Sequence, residues 1–416
     1  MLPWGMATFR YDAYLLFNSR FLSRLGFGST ASPLNRLMLL RPATLAFAAC
    51  SLLPLAAQTA PAVAPSGYDA LWSHAVLLTG TKGDFFQELR ITGREQFDWY
   101  SFGNGTDDRS GWGNRRSRLG LKGQFLDDFT FAAEADFNLG HPHPLYNKLS
   151  LATVAWAPDP SFILTIGRQP SRFTLDGSMS SLVLPTIDRS VVSYNIGLLD
   201  DAVPGINVEG DVGLWTYRAG LYSAGAATPS FGRFNAALFG VVSVGRHFEK
   251  AWGLDKAWLR ADYFLQGEDA QNSTGTPFPF TRDHHQAASL SLQTEKGPWS
   301  LAMEVAASEG QGMQSDLKSF EFMPAYQLNA DWQAVFRYTY LESKLNNGIY
   351  MVQYEGWLVP GAGDRYQEFY LGLNRYFYGH KLKWMFGLEH ARMHDRASDG
   401  GSYNGWGFTS GFRVSW

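Results

Sequence analysis

The sequence predicts an all-β fold, a transmembrane antiparallel β-barrel of about 16 strands. Three observations predict it. Apolar and polar residues alternate over stretches of about ten residues, the period of two that a strand with one apolar face requires. Tight turns and long polar loops join these stretches in alternation, the mark of a barrel standing in a membrane. The last stretch, "GFTSGFRVSW", sets Phe408, Ser410, Phe412, Val414 and Trp416 on one face and then stops on a bare tryptophan, where a soluble domain frays into small polar residues. A final strand that pairs with the first to close the barrel explains that ending, with Trp416 in the aromatic girdle at the periplasmic interface.

Composition narrows the class further. Aromatic residues make up 15% of the chain, charged residues only 18%, and the formal net charge is −3. A nucleic-acid binder is strongly basic, so no nucleic-acid partner is expected. No apolar run reaches the ~20 residues of a membrane-spanning helix. From Met38 the chain reads "MLLRPATLAFAACSLLPLAAQTAPAVAP", with Arg41 as the positive region, residues 43–55 as the apolar region and Leu55-Ala56-Ala57 as a small-residue cleavage site. Residues 1–57 are therefore read as an upstream extension plus a secretory signal, residues 58–84 as a periplasmic linker, and residues 85–416 as the barrel. Cys50 is the only cysteine and falls inside the signal, so no disulfide or thiol chemistry is expected of the exported chain.

Taken in order, the strands are expected near 85–99, 115–125, 129–139, 148–157 and 161–168, then 204–212, 213–223, 236–248 and 257–268. The series continues near 286–295, 298–308, 318–329, 331–342, 365–378, 381–392 and 406–416. In "FTFAAEADFNL", Phe129, Phe131, Ala133, Ala135 and Phe137 share one face and Thr130, Glu134 and Asp136 the other. The turns "LDD" at 126–128, "EKGP" at 295–298 and "NAD" at 329–331 suit antiparallel neighbours. Long loops are expected at 103–113, 267–285, 343–364 and 393–405. A soluble sandwich or propeller would also alternate, but its apolar face would point inward and would not need so many aromatics at the strand ends.

With apolar residues toward lipid, the alternate positions line the lumen. In "RRSRLGLKGQF" that places Arg116, Arg118, Lys122 and Gln124 in a column on the inner face, and in "QELRITGREQF" it places Glu88, Arg90, Thr92, Arg94 and Gln96 there. Two neighbouring strands thus present a basic stripe. Guanidinium groups stay charged and suit bidentate contact with phosphate or carboxylate, so the stripe reads as anion steering. The alternative is that these arginines pair with Glu88, Glu134 and Asp136 as wall structure.

The stretch "RRSRLGLKGQFLDDFTFAAEADF", followed by "FILTIGRQPSRFTLDGSMSSLVLPTIDRSVV", resembles the phosphate-selective porin O and P family of Gram-negative outer membranes. The resemblance implies a homotrimeric, 16-stranded channel for small anions such as phosphate or polyphosphate, with loops folded inward to form a constriction. Arg168, Arg172 and Asp176 then stand on the loop nearest that constriction, as further steering residues. Where the family often has Lys-Glu before Pro-Phe, this chain has Gln169-Pro170-Ser171-Arg172-Phe173, and its lysine-rich cluster is missing. The partners implied are the lipid bilayer, small anionic solutes, two further copies, and the barrel-assembly machinery acting on the strand that ends at Trp416. The runner-up reading is a structural or adhesive barrel whose lumen is plugged and whose long loops bind partners.

Nothing else rises to a site. His284-His285 and His141-Pro142-His143-Pro144 lie in expected loops without a carboxylate or cysteine spacing that completes a metal centre. "GFGST" at 26–30 falls in the leader and is no phosphate loop. No cofactor, metal or catalytic residue is expected.

Overall fold

The computed structural model describes residues 67–416 apart from 141–142, 198–201, 224–230, 233, 235–237, 268–282 and 352–353. The expected secretory signal lies outside the described residues. A helix α1 (Gly67–Ser73) and a short strand β1 (Val76–Thr79) precede the wall. The wall opens with β2 (Phe86–Gly103), β3 (Asp108–Phe125), β4 (Phe129–Phe137), β5 (Tyr146–Asp159) and β6 (Phe162–Pro170). Two short helices, α2 (Leu175–Ser178) and α3 (Val191–Asn195), lie in the next connection. After them come β7 (Ala202–Val212), β8 (Trp215–Ser223), β9 (Leu238–His247), helix α4 (Glu249–Trp252) and β10 (Lys256–Gln266). The second half holds β11 (His284–Lys296), β12 (Trp299–Gly310), β13 (Leu317–Gln327) and β14 (Trp332–Ser343). A loop hairpin of β15 (Ile349–Tyr350) and β16 (Ala362–Gly363) separates these from β17 (Arg365–Tyr378), β18 (Leu382–His394) and β19 (Tyr403–Ser415).

Every strand of the wall pairs antiparallel with its neighbour in the chain, and β19 pairs with β2 to close the ring. The sheet counts 17 strands, of which β1 only extends the free edge of β2, so sixteen form the barrel. Closure removes both sheet edges, which a membrane demands because lipid offers no hydrogen-bond partner. Outward positions such as Leu221, Val242, Leu290, Val305 and Leu371 are exposed apolar residues, so the outer wall is apolar. The inner face carries the buried polar set, including Asp98, Arg260, Glu304, Glu321, Arg337 and Glu368.

Two segments depart from expectation. The loop expected over 103–113 shrinks to residues 104–107, because β2 and β3 run on as a hairpin with Trp99 opposite Trp112 and Tyr100 opposite Gly111. Glycine is needed at 111, where a Cβ would crowd the Tyr100 hydroxyl, so a residue that reads as loop is a packing requirement. Within the expected linker, residues 67–79 are attached to the wall: the Tyr68 hydroxyl donates to the Lys381 and Ser415 carbonyls at 3.0 and 2.7 Å.

The terminal tryptophan has a built seat. Trp416 exchanges backbone hydrogen bonds with Gly93, at 3.1 and 3.3 Å, and its ring stacks on Trp72 at 4.2 Å. A Cβ at Gly93 would overlap that ring, so only glycine admits it. Gly93→Val is expected to unseat Trp416 and lower by several degrees the temperature at which the folded band converts on a gel. Gly67→Ala, where no atom lies within 4 Å of a Cβ, should leave it unchanged.

Candidate functional site

The connection from β6 to β7 does not stay outside. Its entry is strained, with Arg172 at φ 47° and Thr174 at φ 66°, a region that residues with side chains seldom occupy and that often marks a functional segment. From there the segment 171–197 enters the barrel and is bonded to the wall on many strands. The Glu304 carboxylate of β12 accepts the Leu175 amide at 2.7 Å, and Arg260 of β10 donates to the Thr174 carbonyl at 2.7 Å. On β17 and β18, Asn374 donates to the Pro185 carbonyl at 2.7 Å and Lys383 to the Leu184 carbonyl at 2.9 Å. The Tyr370 hydroxyl accepts the Ile187 amide at 3.2 Å.

Arg337 of β14 is the centre of this anchorage. Its guanidinium donates to Glu368 at 2.8 and 2.9 Å, to the Thr186 hydroxyl at 3.2 Å and to the Asp188 carbonyl at 2.9 Å, and lies 5.1 Å from the Tyr370 ring centre. Its side chain is 2% exposed, so the pair with Glu368 is desolvated and its geometry is held by every remaining donor. Within the loop, Asp176 accepts the Ser190 amide at 2.8 Å, and the Arg189 guanidinium donates to the Asp176 and Met179 carbonyls.

Apolar packing seals one side of the lumen. Phe173, Val191, Val192 and Ile196 of the loop form a cluster with Tyr222, Phe264, Leu317 and Leu341 of the wall and with Ile349, Met351 and Val359 of the 344–364 loop. That second loop also turns inward. Tyr350 exchanges hydrogen bonds with Asn195 at 2.9 and 3.0 Å, and the Tyr354 hydroxyl donates to Asp98 at 2.8 Å. Burial, reinforced by the Asp98 charge, holds the Tyr354 phenol well above its ordinary value, so it remains a donor at any working pH.

The basic stripe meets the loop. Arg94 donates to Ser181 at 2.5 Å, and Arg115 pairs with Asp188 and lies 3.7 Å from Asp98. Arg115 escapes strict alternation because it is the extra residue of a β-bulge: Gln96 pairs with Arg116 but Phe97 with Asn114. Arg116 donates to Gln96 at 3.0 Å, Arg118 bonds Glu134 at 3.3 Å and Asp136 at 3.5 Å, and Arg90 bonds Glu88 at 2.8 Å. Lys122 is exposed. Of the three residues expected on the loop, only Arg172 is open to water, sharing Glu209 with Arg218. Arg168 lies within β6, 1% exposed, and donates to the Leu149 and Phe231 carbonyls, while Asp176 is buried as a brace. His284 is the first residue of β11 and not a loop residue; buried, it bonds the Asn195 carbonyl at 2.6 Å. His141 lies outside the described residues.

Across the lumen the loop leaves a wall uncovered. Register places Thr130, Ala132, Thr153, Ala155 and Thr165 of β4–β6 on the inner face with Lys122, a lining of small side chains. Beneath the loop, toward the tight turns, a cavity of about 670 Å³ opens between Met179, Val183 and Pro185 and the wall residues Arg218, Lys256 and Gln333. Among the described residues no group of His, Cys, Asp and Glu is placed to hold a metal ion.

Residues 89–238 match the family model of phosphate-selective porin O and P. The matched span carries the basic stripe and the in-turned loop. Solved outer-membrane proteins share the fold: OmpT of Vibrio cholerae at TM-score 0.51 and 12% identity, over 82% of this chain and 99% of that one. The outer membrane channel DcaP of Acinetobacter baumannii matches at 0.51 and 13%, over 81% and 100%. OmpF of Salmonella typhi, in a complex with daunomycin, matches at 0.52 and 12%, over 79% and 98%. No curated protein sequence matches the chain. The closed 16-stranded antiparallel barrel is thus the fold of these outer-membrane proteins.

Proposed function

We propose that this barrel is a passive, water-filled channel for small anions, with solute passing between the in-turned loop and the wall of β3–β6. One observation carries the reading: the loop is bonded to β10, β12, β14, β17 and β18 on one side and on the other touches Arg94 of the basic stripe and Arg115 of the bulge beside it. The narrowest part of such a path is bordered by guanidinium groups, and at close range their field acts before salt screens it, within about 8 Å. Phosphate and polyphosphate are the solutes the family resemblance implies; the absence of a lysine-rich cluster argues for a broader range of anions. The plugged, adhesive alternative draws on one specific feature, the apolar cluster that fills the lumen on the β10–β18 side.

Substituted cysteines test the path. Expressed from residue 58, the chain has no other thiol, so Thr153→Cys treated with a bulky charged thiol reagent is expected to lose most of its ion current. Val244→Cys, on the outer wall, is expected to keep it. Equal currents before and after reagent at Thr153 would remove the path from this wall.

A homotrimer is proposed with it. The outer face of β2 and β3 carries a carboxylate, Glu95, which accepts from Ser117 at 2.6 Å and from Asn114. An ionisable group facing hydrocarbon is costly, and a neighbouring copy would cover it. The small outward residues Ala133, Ala135 and Ala152 on the neighbouring strands permit close approach. Glu95→Lys is expected to shift the unboiled protein from trimer to monomer on a non-denaturing gel; an unchanged band would place the contact elsewhere.

A further inference from the structure

The cavity beneath the in-turned loop carries apolar surface that a path for water and inorganic ions does not use. Over β12–β14 the inward positions toward the tight turns are Ala302, Met323, Ala325 and Val335, packed with Leu175 and Met179 of the loop. The apolar surface continues from this cluster into the cavity. The segment 171–197 buries Phe173, Leu175, Leu184, Ile187, Val192 and Ile196, and the one large apolar side chain it leaves exposed is Val183, at 45%. Val183 lines the cavity beside Met179 and Pro185. Apolar surface held in water is unfavourable, and an apolar solute would cover it.

The wall of the cavity formed by β8 and β10 carries charge. Arg172 and Arg218 share the single carboxylate of Glu209, at 3.3 and 2.8 Å, and Arg260 pairs with Asp262 at 2.9 Å. Three guanidinium groups against two carboxylates leave one positive charge. Arg218 gives its Nε to Glu209 and its Nη1 to the Arg172 carbonyl, so among the described residues its Nη2 has no partner. The other charges that line the cavity are matched, Lys256 with Glu295 at 3.1 Å and Asp331 with Arg375 at 3.4 Å. Two amides complete the lining. Gln293 has no hydrogen-bond partner among the described residues, and Gln333 accepts from Tyr376 at 2.8 Å and Asn374 at 3.2 Å while its own N–H groups stay free.

We propose that this cavity binds an amphipathic organic monoanion, with its carboxylate at Arg218 and its apolar body on Met179 and Val183. A guanidinium with a free amino group suits a carboxylate, and one surplus charge suits one acid group. The volume of about 670 Å³ falls within the roughly 300–1,000 Å³ of pockets that enclose small organic molecules, which are lined as here by apolar side chains and a few polar groups. Inorganic phosphate would leave Val183 bare, and a neutral hydrocarbon would leave the charge at Arg218 unanswered. This solute class deepens the reading of an anion channel and rests on it for entry from the lumen.

The test adds millimolar cyclohexanecarboxylate to single channels recorded in potassium chloride. Brief interruptions are expected, their rate rising with concentration. Acetate, which has the charge without the body, and cyclohexanecarboxamide, which has the body without the charge, should each interrupt at least tenfold less often. Val183→Asn, at an exposed position, and Arg218→Gln, which leaves Glu209 its pair with Arg172, should each shorten the interruptions at least fivefold. Met313→Asn, equally apolar to polar but 98% exposed in the connection from β12 to β13, should leave them unchanged. Interruptions by acetate at the same rate, or of unchanged length in both Val183→Asn and Arg218→Gln, would overturn the proposal. Saturation-transfer NMR of the same acid with the barrel in lipid nanodiscs, set against empty nanodiscs, reads binding without any current. A missing signal there overturns the binding site while salt currents leave the channel standing; a signal lost in Val183→Asn supports the site even if no current is seen.

Discussion

In a salt gradient across a planar bilayer, Arg94→Glu with Arg116→Glu is expected to reverse the sign of the reversal potential from the anion to the cation side. Arg94 stands where the stripe meets the in-turned loop, against Ser181, and Arg116 stands on the neighbouring strand, bonded to Gln96 two residues along β2 from Arg94. Each substitution replaces a positive with a negative charge within the range over which salt does not screen. Net charge of the lumen cannot do this work, since Arg118 with Glu134 and Asp136, and Arg260 with Asp262, are locally balanced. Arg90→Glu serves as the comparison: it stands four residues from Arg94 along β2, pairs with Glu88 and is 40% exposed, so its reversal should shift the potential much less. A shift equal in both would show that selectivity is spread along the wall and is not set at the loop.

The second large effect is expected at Arg337. Arg337→Met removes the donor that Glu368, Thr186 and the Asp188 carbonyl share, and leaves the Glu368 carboxylate buried without its partner. Breaking a desolvated pair in this way costs about 3–5 kcal/mol. The loop should then leave its seat for part of the time. Larger and noisier single-channel currents are expected, together with a lower conversion temperature on a gel. Arg337→Met paired with Glu368→Met removes the orphaned carboxylate and should recover much of the thermal loss but not the current pattern. Quiet, unchanged currents in Arg337→Met would mean that the loop does not narrow the path.

The barrel was legible in the sequence because its physics is local. One residue faces lipid and the next faces the lumen, so Phe129, Phe131 and Phe137 against Glu134 and Asp136 declare a strand without any tertiary knowledge. Closure of β19 on β2 was legible from a strand that ends on Trp416. Two kinds of information were not local. Arg115 faces Asp188 only because a bulge breaks the alternation, and no periodicity forecasts a bulge. The anchors of the loop come from Arg260, Glu304, Arg337, Asn374 and Lys383, spread over more than a hundred residues, and strand alternation gives their face but not their height or partner. For the same reason Asp176 reads as a steering charge in the sequence, while its hydrogen bond with Ser190 makes it a brace within the loop.

Single-channel recording of the wild-type barrel tests whether water and ions pass the in-turned loop. Discrete, reproducible current steps that scale with salt concentration are expected, with a reversal potential on the anion side of zero. Silence in repeated insertions of wild type, with steps appearing only in Arg337→Met, would contradict such passage and show the loop to be a plug.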